Sequence, residues 1–353
     1  MKKSLLTKKE GEVLHGLVRY PELNDSELSS IIDVKLSTLT SIKRRLADRG
    51  FFSRLTVPMV NRLGCELLAA IYMQFNPVIP LEKRLQTTKR TIEVFDEIFF
   101  SVGEQEKGFS LSLSQNYTNI GRINEIRTET FGKLGLLEKE YPHEVVFPFE
   151  TSRIARFFDY SRLLHRMFSL DEEKKVGTAA KWFHDVKEID LSLKERKVFV
   201  ALVEYPSATT QYIGKKMGVS RHTIARMKNH FFEEGLLKQI VLPDLRRLGV
   251  EILAFYHIKF NPHKAPSKAD IDYLDSPFTI LLANRKFEAV VLSAYPTYQD
   301  YKEDEMNKIR FLKENDLIFY PPFIGTYMFE RMAIIKDFDF APITKKILGD
   351  IAR

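Results

Sequence analysis

Cysteine is nearly absent: Cys65 is the only one in 353 residues, which excludes an internal disulfide and any zinc site built from several thiolates. No apolar run approaches the ~18–20 residues that cross a membrane; the longest are stretches such as LLAAIYM (67–73). The opening MKKSLLTKKEGE is basic but has no apolar core, so no secretory signal is expected. These absences point to a cytoplasmic protein without membrane contact. A phosphate-binding loop is missing too. SVGEQEKGFS (101–110) spaces two glycines around a lysine, lacks the GK[ST] ending and reads as a hairpin turn. The eight histidines are scattered, and most read as surface or core residues. No cofactor, metal or catalytic group is expected.

What is present is ordinary in bulk and unusual in arrangement. Hydrophobic residues make up 44% and charged residues 29%, enough for several cores, and the length suggests at least two domains. The net charge of +7 permits nucleic-acid binding without establishing it. RLGCELLAAIYMQFNP (62–77) returns as RLGVEILAFYHIKFNP (247–262), 185 positions later. At that offset, 6–77 and 191–262 align without a gap, with 22 identities in 72 pairs. Chance does not hold register over that length, so the chain contains a duplication. Beyond the FNP the order of patterns persists at a shorter offset: helix, strand, hairpin, strand, helix, strand. The βαββαβ order is that of a ferredoxin-like sandwich. The segments VVFPFE (145–150) and LIFYPPF (317–323) read as the final strands, and TSRIARFFDYSRLLHRMF and GTYMFERMAII as closing helices.

Upstream of each FNP, three short helices and an alternating segment ending in proline describe a winged helix-turn-helix. In the third helices Leu39, Ile42 and Leu46, or Ile224, Met227 and Phe231, form the buried stripe. The opposite faces carry Ser37, Thr40, Ser41 and Arg44 in the first copy, with Thr38, Lys43 and Arg45 beside them, and His222, Ala225, Arg226 and Asn229 in the second, flanked by Arg221 and Thr223. Neither first turn contains an acid, although the helix dipole favours one there. That pattern suits a recognition helix reading base edges from the major groove. Arg54, Lys228 and Lys238 are the phosphate candidates. Ser220 suits the cap of the second recognition helix, where the first has Lys35.

A winged helix-turn-helix followed by this sandwich resembles the Lrp/AsnC (feast/famine) regulators. The resemblance is carried by GFFSRLTVPMVNRLG (50–64) and GLLKQIVLPDLRRLG (235–249). It implies an α+β chain of two fused units, each a winged helix-turn-helix and a ferredoxin-like sandwich. The expected domains are 1–64, 65–170, 191–249 and 250–353, with a connector at 171–190. It further implies a non-enzymatic, sequence-specific regulator of double-stranded DNA acting as an intramolecular pseudo-dimer. The effector stays unidentified, and further homo-oligomerisation through the sandwich faces stays open. The alternative is a resemblance to siroheme decarboxylases, which combine the same two modules, sometimes as fused pairs. That would imply a histidine-rich cleft for a tetrapyrrole. His257 lies in a strand where the first copy has Tyr72.

Overall fold

The computed structural model describes residues 6–138, 140–170, 182–184 and 187–349. Most of the expected connector at 171–190 lies outside the described residues. The chain is α+β and divides into two compact units, neither of which is a contiguous half. Unit one comprises 1–54, 153–182 and 239–330; unit two comprises 55–152, 183–238 and 331–353. Each therefore takes its helix-turn-helix from one repeat and its sandwich from the other.

Unit one opens with α1 (Lys8–Arg19), α2 (Asp25–Ile31) and α3 (Leu36–Asp48). Capping boxes from Thr7 to Glu10 and from Asn24 to Glu27 start the first two helices. Lys35 gives α3 no side-chain cap. Strand β1 (Phe52–Pro58) then carries the chain into unit two. The five-stranded sheet of unit one has the order β11-β8-β10-β9-β6. These strands are β6 (Arg153–Phe157), β8 (Ile252–Lys259), β9 (Thr279–Arg285), β10 (Glu288–Tyr295) and β11 (Phe323–Met328). All of its pairings are antiparallel. Helices α10 (Lys268–Leu274) and α11 (Tyr298–Glu314) complete the sandwich, and α6 (Ser161–Phe168) packs on α1. Gly11 makes that approach possible: a Cβ there would lie 2.4 Å from the Phe168 ring.

Unit two repeats the plan. Its helices α7 (Leu193–Glu204), α8 (Thr210–Met217) and α9 (Arg221–Glu233) start at Ser192, Thr209 and Ser220, each accepting a backbone N–H. Gly214 allows the tight turn between α8 and α9, since a Cβ would sit 2.5 Å from the Val219 carbonyl oxygen. Strand β7 (Leu237–Pro243) leads back to unit one. The sheet order is β12-β3-β4-β2-β5. These strands are β2 (Leu67–Gln74), β3 (Ile98–Gly103), β4 (Lys107–Ser114), β5 (His143–Pro148) and β12 (Ala333–Lys336). Helices α4 (Leu81–Glu93) and α5 (Tyr117–Lys133) belong to the sandwich, and α12 (Ala341–Leu348) packs on α7. Alternate residues of β2 (Leu67, Ala69, Ile71, Met73) form a core with Ile92, Ile120, Ile123 and Phe131.

SVGEQEKGFS is the β3–β4 hairpin. Cys65 is buried, and burial, with Glu97 and Glu66, pushes its thiol far up, so it is a packed core group. The closing segments differ from the sequence reading. Of the expected closing helices, SRLLHRMF forms α6, whereas TSRIARFF supplies β6 and GTYMFERMAII supplies parts of β11 and β12. β6 and β12 instead satisfy their backbone groups by pairing with the edges that β9 and β3 offer. Strand β11 begins at Phe323, where the expected strand ended, because Pro321 and Pro322 cannot donate to a ladder.

Candidate functional site

The helix faces expected to read DNA sit where the periodicity put them. Ser37, Thr38, Thr40, Ser41 and Arg44 are exposed on α3, and Arg221, His222, Arg226 and Asn229 are exposed on α9. Several others are engaged within the protein. Arg45 pairs with Glu10 of α1 at 3.1 Å. Arg54 is half-buried and donates to the Pro21 carbonyl and to Gln239 Oε1, both at 3.2 Å. Burial lowers its pKa, with Asp25 opposing. Thr223 contributes its N–H to the Ser220 cap at 3.2 Å. Lys228 and Lys238 are half-buried, and the Lys228 ammonium lies 5.8 Å from the Phe232 ring.

A different constellation comes from the sheets. In unit two Tyr72 of β2 stands opposite His143 of β5, and the rings stack at 4.9 Å. In unit one His257 of β8 stands opposite Phe323 of β11. Tyr72 and His257 are equivalent positions of the duplication. The same cross-strand pair thus carries one histidine and one aromatic in each unit, with the strands exchanged. Strand alternation puts His257 on the face opposite Tyr256, which points to α11 through Tyr295 and Asp304.

The two histidines differ in setting. His143 is exposed and has Glu140 at 3.0 Å. His257 is 5% exposed, with Glu288 at 3.5 Å. Arg285 donates to Glu288 from across the β9–β10 hairpin at 2.8 Å. His257 and then Arg285 hold the Glu288 carboxyl down to about 2, against the opposing effect of burial. Since the folded-state value lies below the unfolded one, this contribution is fully present above about pH 4.3 and lost as pH falls through about 2. Glu288→Gln should accordingly flatten the acid limb of stability in that window, as read from urea midpoints at successive pH values. In unit two the same hairpin is charge-reversed, with Glu104 and Lys107 at 3.9 Å.

The replacement of Tyr72 by His257 is legible in the repeat, whereas the compensating exchange is not. His143 and Phe323 lie beyond the region of constant offset, and only strand register shows that they are equivalent. Among the described residues no group of three or more His, Cys, Asp or Glu is placed to hold a metal ion. No helix among them is long and apolar enough to cross a membrane.

Neither a family model nor a curated protein matches the sequence. Solved structures match the fold. The crystal structure of the siroheme decarboxylase NirDL aligns over 98% of this chain and 100% of its own, at 11% identity and a TM-score of 0.50. The same enzyme in complex with an iron-uroporphyrin III analogue aligns over 96% and 98%, with the same identity and score. A transcriptional regulatory protein of the AsnC family from Pyrococcus furiosus aligns over 40% of this chain and 88% of its own, at 21% identity and a TM-score of 0.31. The fold is thus shared with that full-length match, a helix-turn-helix and a sandwich in duplicate. The expectation of a non-enzymatic, DNA-binding regulator does not hold. A structure that matches this chain from end to end is that of an enzyme. Periodicity alone could not separate them, because a helix-turn-helix has the same buried stripe whether or not it meets DNA.

Proposed function

We propose that this chain is an enzyme of the siroheme decarboxylase kind, acting on the carboxylate side chains of a tetrapyrrole. The observation that carries the reading is the match to a single enzyme chain across both repeats and both sheets. The exchanged histidine positions support it. Loss of carbon dioxide from an acetate-type side chain breaks a C–C bond and leaves an electron pair on carbon. A proton must take up that pair, so a positioned acid accelerates the step. His257 suits that role in unit one, because Glu288 stays ionised and can orient and charge-stabilise its imidazole. Arg285 supplies a guanidinium on the same hairpin.

The cleft of about 1080 Å³ in unit two does not suit such a substrate. Five carboxylates against three lysines line it, with no histidine, and a polycarboxylate would be repelled. The test is anaerobic addition of siroheme to the full-length protein, followed by absorption spectroscopy and mass analysis of the extracted pigment. A spectral shift and products lighter by successive carbon dioxide masses are expected. An unchanged spectrum and unaltered pigment would overturn the reading.

A further inference from the structure

The helix-side core of the unit-two sandwich contains a positive charge without a counter-charge from the chain. Arg127 of α5 is 2% exposed. Its Nη1 donates to Ser110 Oγ at 2.8 Å and its Nη2 weakly to Met73 Sδ at 3.9 Å, while Nε has no hydrogen-bond partner. Burial is the sole influence on its pKa and pulls it down to about 10, so the guanidinium stays charged at neutral pH. No acid among the described residues offsets that burial. Interior charges are otherwise paired, because taking an ion out of water is costly unless an opposite charge goes with it.

Unit one shows how the same position is balanced from within. Helices α5 and α11 are each 17 residues long, and Arg127 corresponds to Lys308. Lys308 is buried and donates to the carboxylate of Asp304, one turn earlier. Unit two has Ile123 there. The surroundings change as well. β2 pairs with β4 as β8 pairs with β10, which sets Ile71 at the place of Tyr256 and Ser114 at that of Tyr295. Two phenol rings are thus lost, against one ring gained in Phe95 at the place of Ser276. With the exchanges at Ile123, Arg127 and Ser110 included, the unit-two side chains carry fewer non-hydrogen atoms than their counterparts.

The groups beside Arg127 are small and polar. Ser110 and Ser112 stand on the core face of β4, opposite Ile71 and Ala69. Ala69 is the smallest side chain that β2 turns to that core. Ser112 is fully buried, and its Oγ, like Arg127 Nε, has no hydrogen-bond partner. An N–H and an O–H donor are therefore both left over in one buried layer that already carries a positive charge.

We propose that a monovalent anion of halide size occupies this layer, held by Arg127 Nε and the Ser112 hydroxyl. It supplies the negative charge that Asp304 supplies in unit one. One guanidinium calls for one counter-charge, and two single donors on different elements suit a spherical ion. The site does not rest on the tetrapyrrole reading and stands or falls separately.

The experiment is urea unfolding of the full-length protein in sodium chloride, sodium bromide and sodium isethionate at matched ionic strength. The midpoint should rise to a plateau with either halide and stay lower in isethionate, since an ion that binds only the folded state stabilises it by mass action. Ile123→Asp supplies the carboxylate from the chain, and Arg127→Met removes the charge; both should lose the halide-specific rise. Circular dichroism confirms that the variants are folded, and should Arg127→Met fail to fold, Ile123→Asp carries the comparison. Crystals of the full-length protein grown in bromide should show anomalous density within hydrogen-bonding reach of Arg127 Nε. The proposal is overturned by equal midpoints in halide and isethionate, by a halide response that survives Ile123→Asp, or by bromide crystals without that density.

Discussion

Asp304→Ala should lower the free energy of unfolding by about 3–5 kcal/mol, because it strands a buried charge. Lys308 is 3% exposed, and its ammonium donates to Asp304 and, at 3.1 Å, to Ser276 Oγ. Asp304 also accepts from Tyr295 at 2.7 Å, and Tyr295 meets the Tyr256 hydroxyl at 2.9 Å. Without the carboxylate, the ammonium keeps one hydroxyl and the Tyr256 ring at 5.5 Å. Burial already lowers the Lys308 pKa and Asp304 opposes it, so the variant drives it lower still. The variant's unfolded state then binds more protons than its folded state, and its stability should rise with pH toward the unfolded lysine value of ~10.4. Urea titrations at neutral and alkaline pH check both the size and the slope. Asp304→Leu combined with Lys308→Met should recover most of the loss, since removing both charges leaves none to be compensated.

The equivalent position of unit two shows that the pair is one solution among several. Arg127 and Lys308 are each the eleventh residue of their helices. Arg127 is 2% exposed and donates to Ser110 Oγ at 2.8 Å and, weakly, to Met73 Sδ at 3.9 Å. Four residues before it stands Ile123, where Lys308 has Asp304. Burial alone pulls the Arg127 guanidinium down to about 10. The two sandwiches therefore share a backbone and a buried cation, and differ in how that cation is satisfied.

That divergence explains what the sequence could and could not reveal. The helix-turn-helix heads and β2/β8 were legible because the offset of 185 is constant through them and their stripes are regular. The closing strands were not. β6 and β12 are five and four residues long, and their strand character comes from β9 and β3, which supply the ladder. Nor could a linear repeat show that a helix-turn-helix need not stay with the sandwich that follows it in the chain. Residues 1–54 cluster with 239–330, a pairing set by long-range contacts. Function was misread for a related reason. An acid-free first turn on α3 and α9 is compatible with DNA, yet it is equally compatible with a scaffold in which Arg45 and Arg54 serve intramolecular contacts.

His257→Ala should reduce decarboxylation of siroheme by about 10²–10⁴-fold if its imidazole delivers the proton, the range typical for loss of a positioned general acid. A merely structural imidazole predicts something else. His257 is buried beside Glu288, so its removal also unseats that carboxylate and costs stability. His257→Gln separates the two, since it retains a hydrogen-bond donor for Glu288 but cannot deliver a proton at neutral pH. A structural role would let Gln restore turnover along with stability; an acid role would let it restore stability alone. The pH profile gives a second readout, because loss of a general acid removes the alkaline limb from the dependence of kcat on pH. His143→Ala provides the internal comparison. That ring is exposed and stacks on Tyr72, and the carboxylate beside it, Glu140, is exposed as well. Equal losses in both variants would mean that each unit contributes an acid, whereas loss confined to His257→Ala would place the chemistry on the unit-one sheet. Unchanged turnover in both would remove the histidines from the reaction.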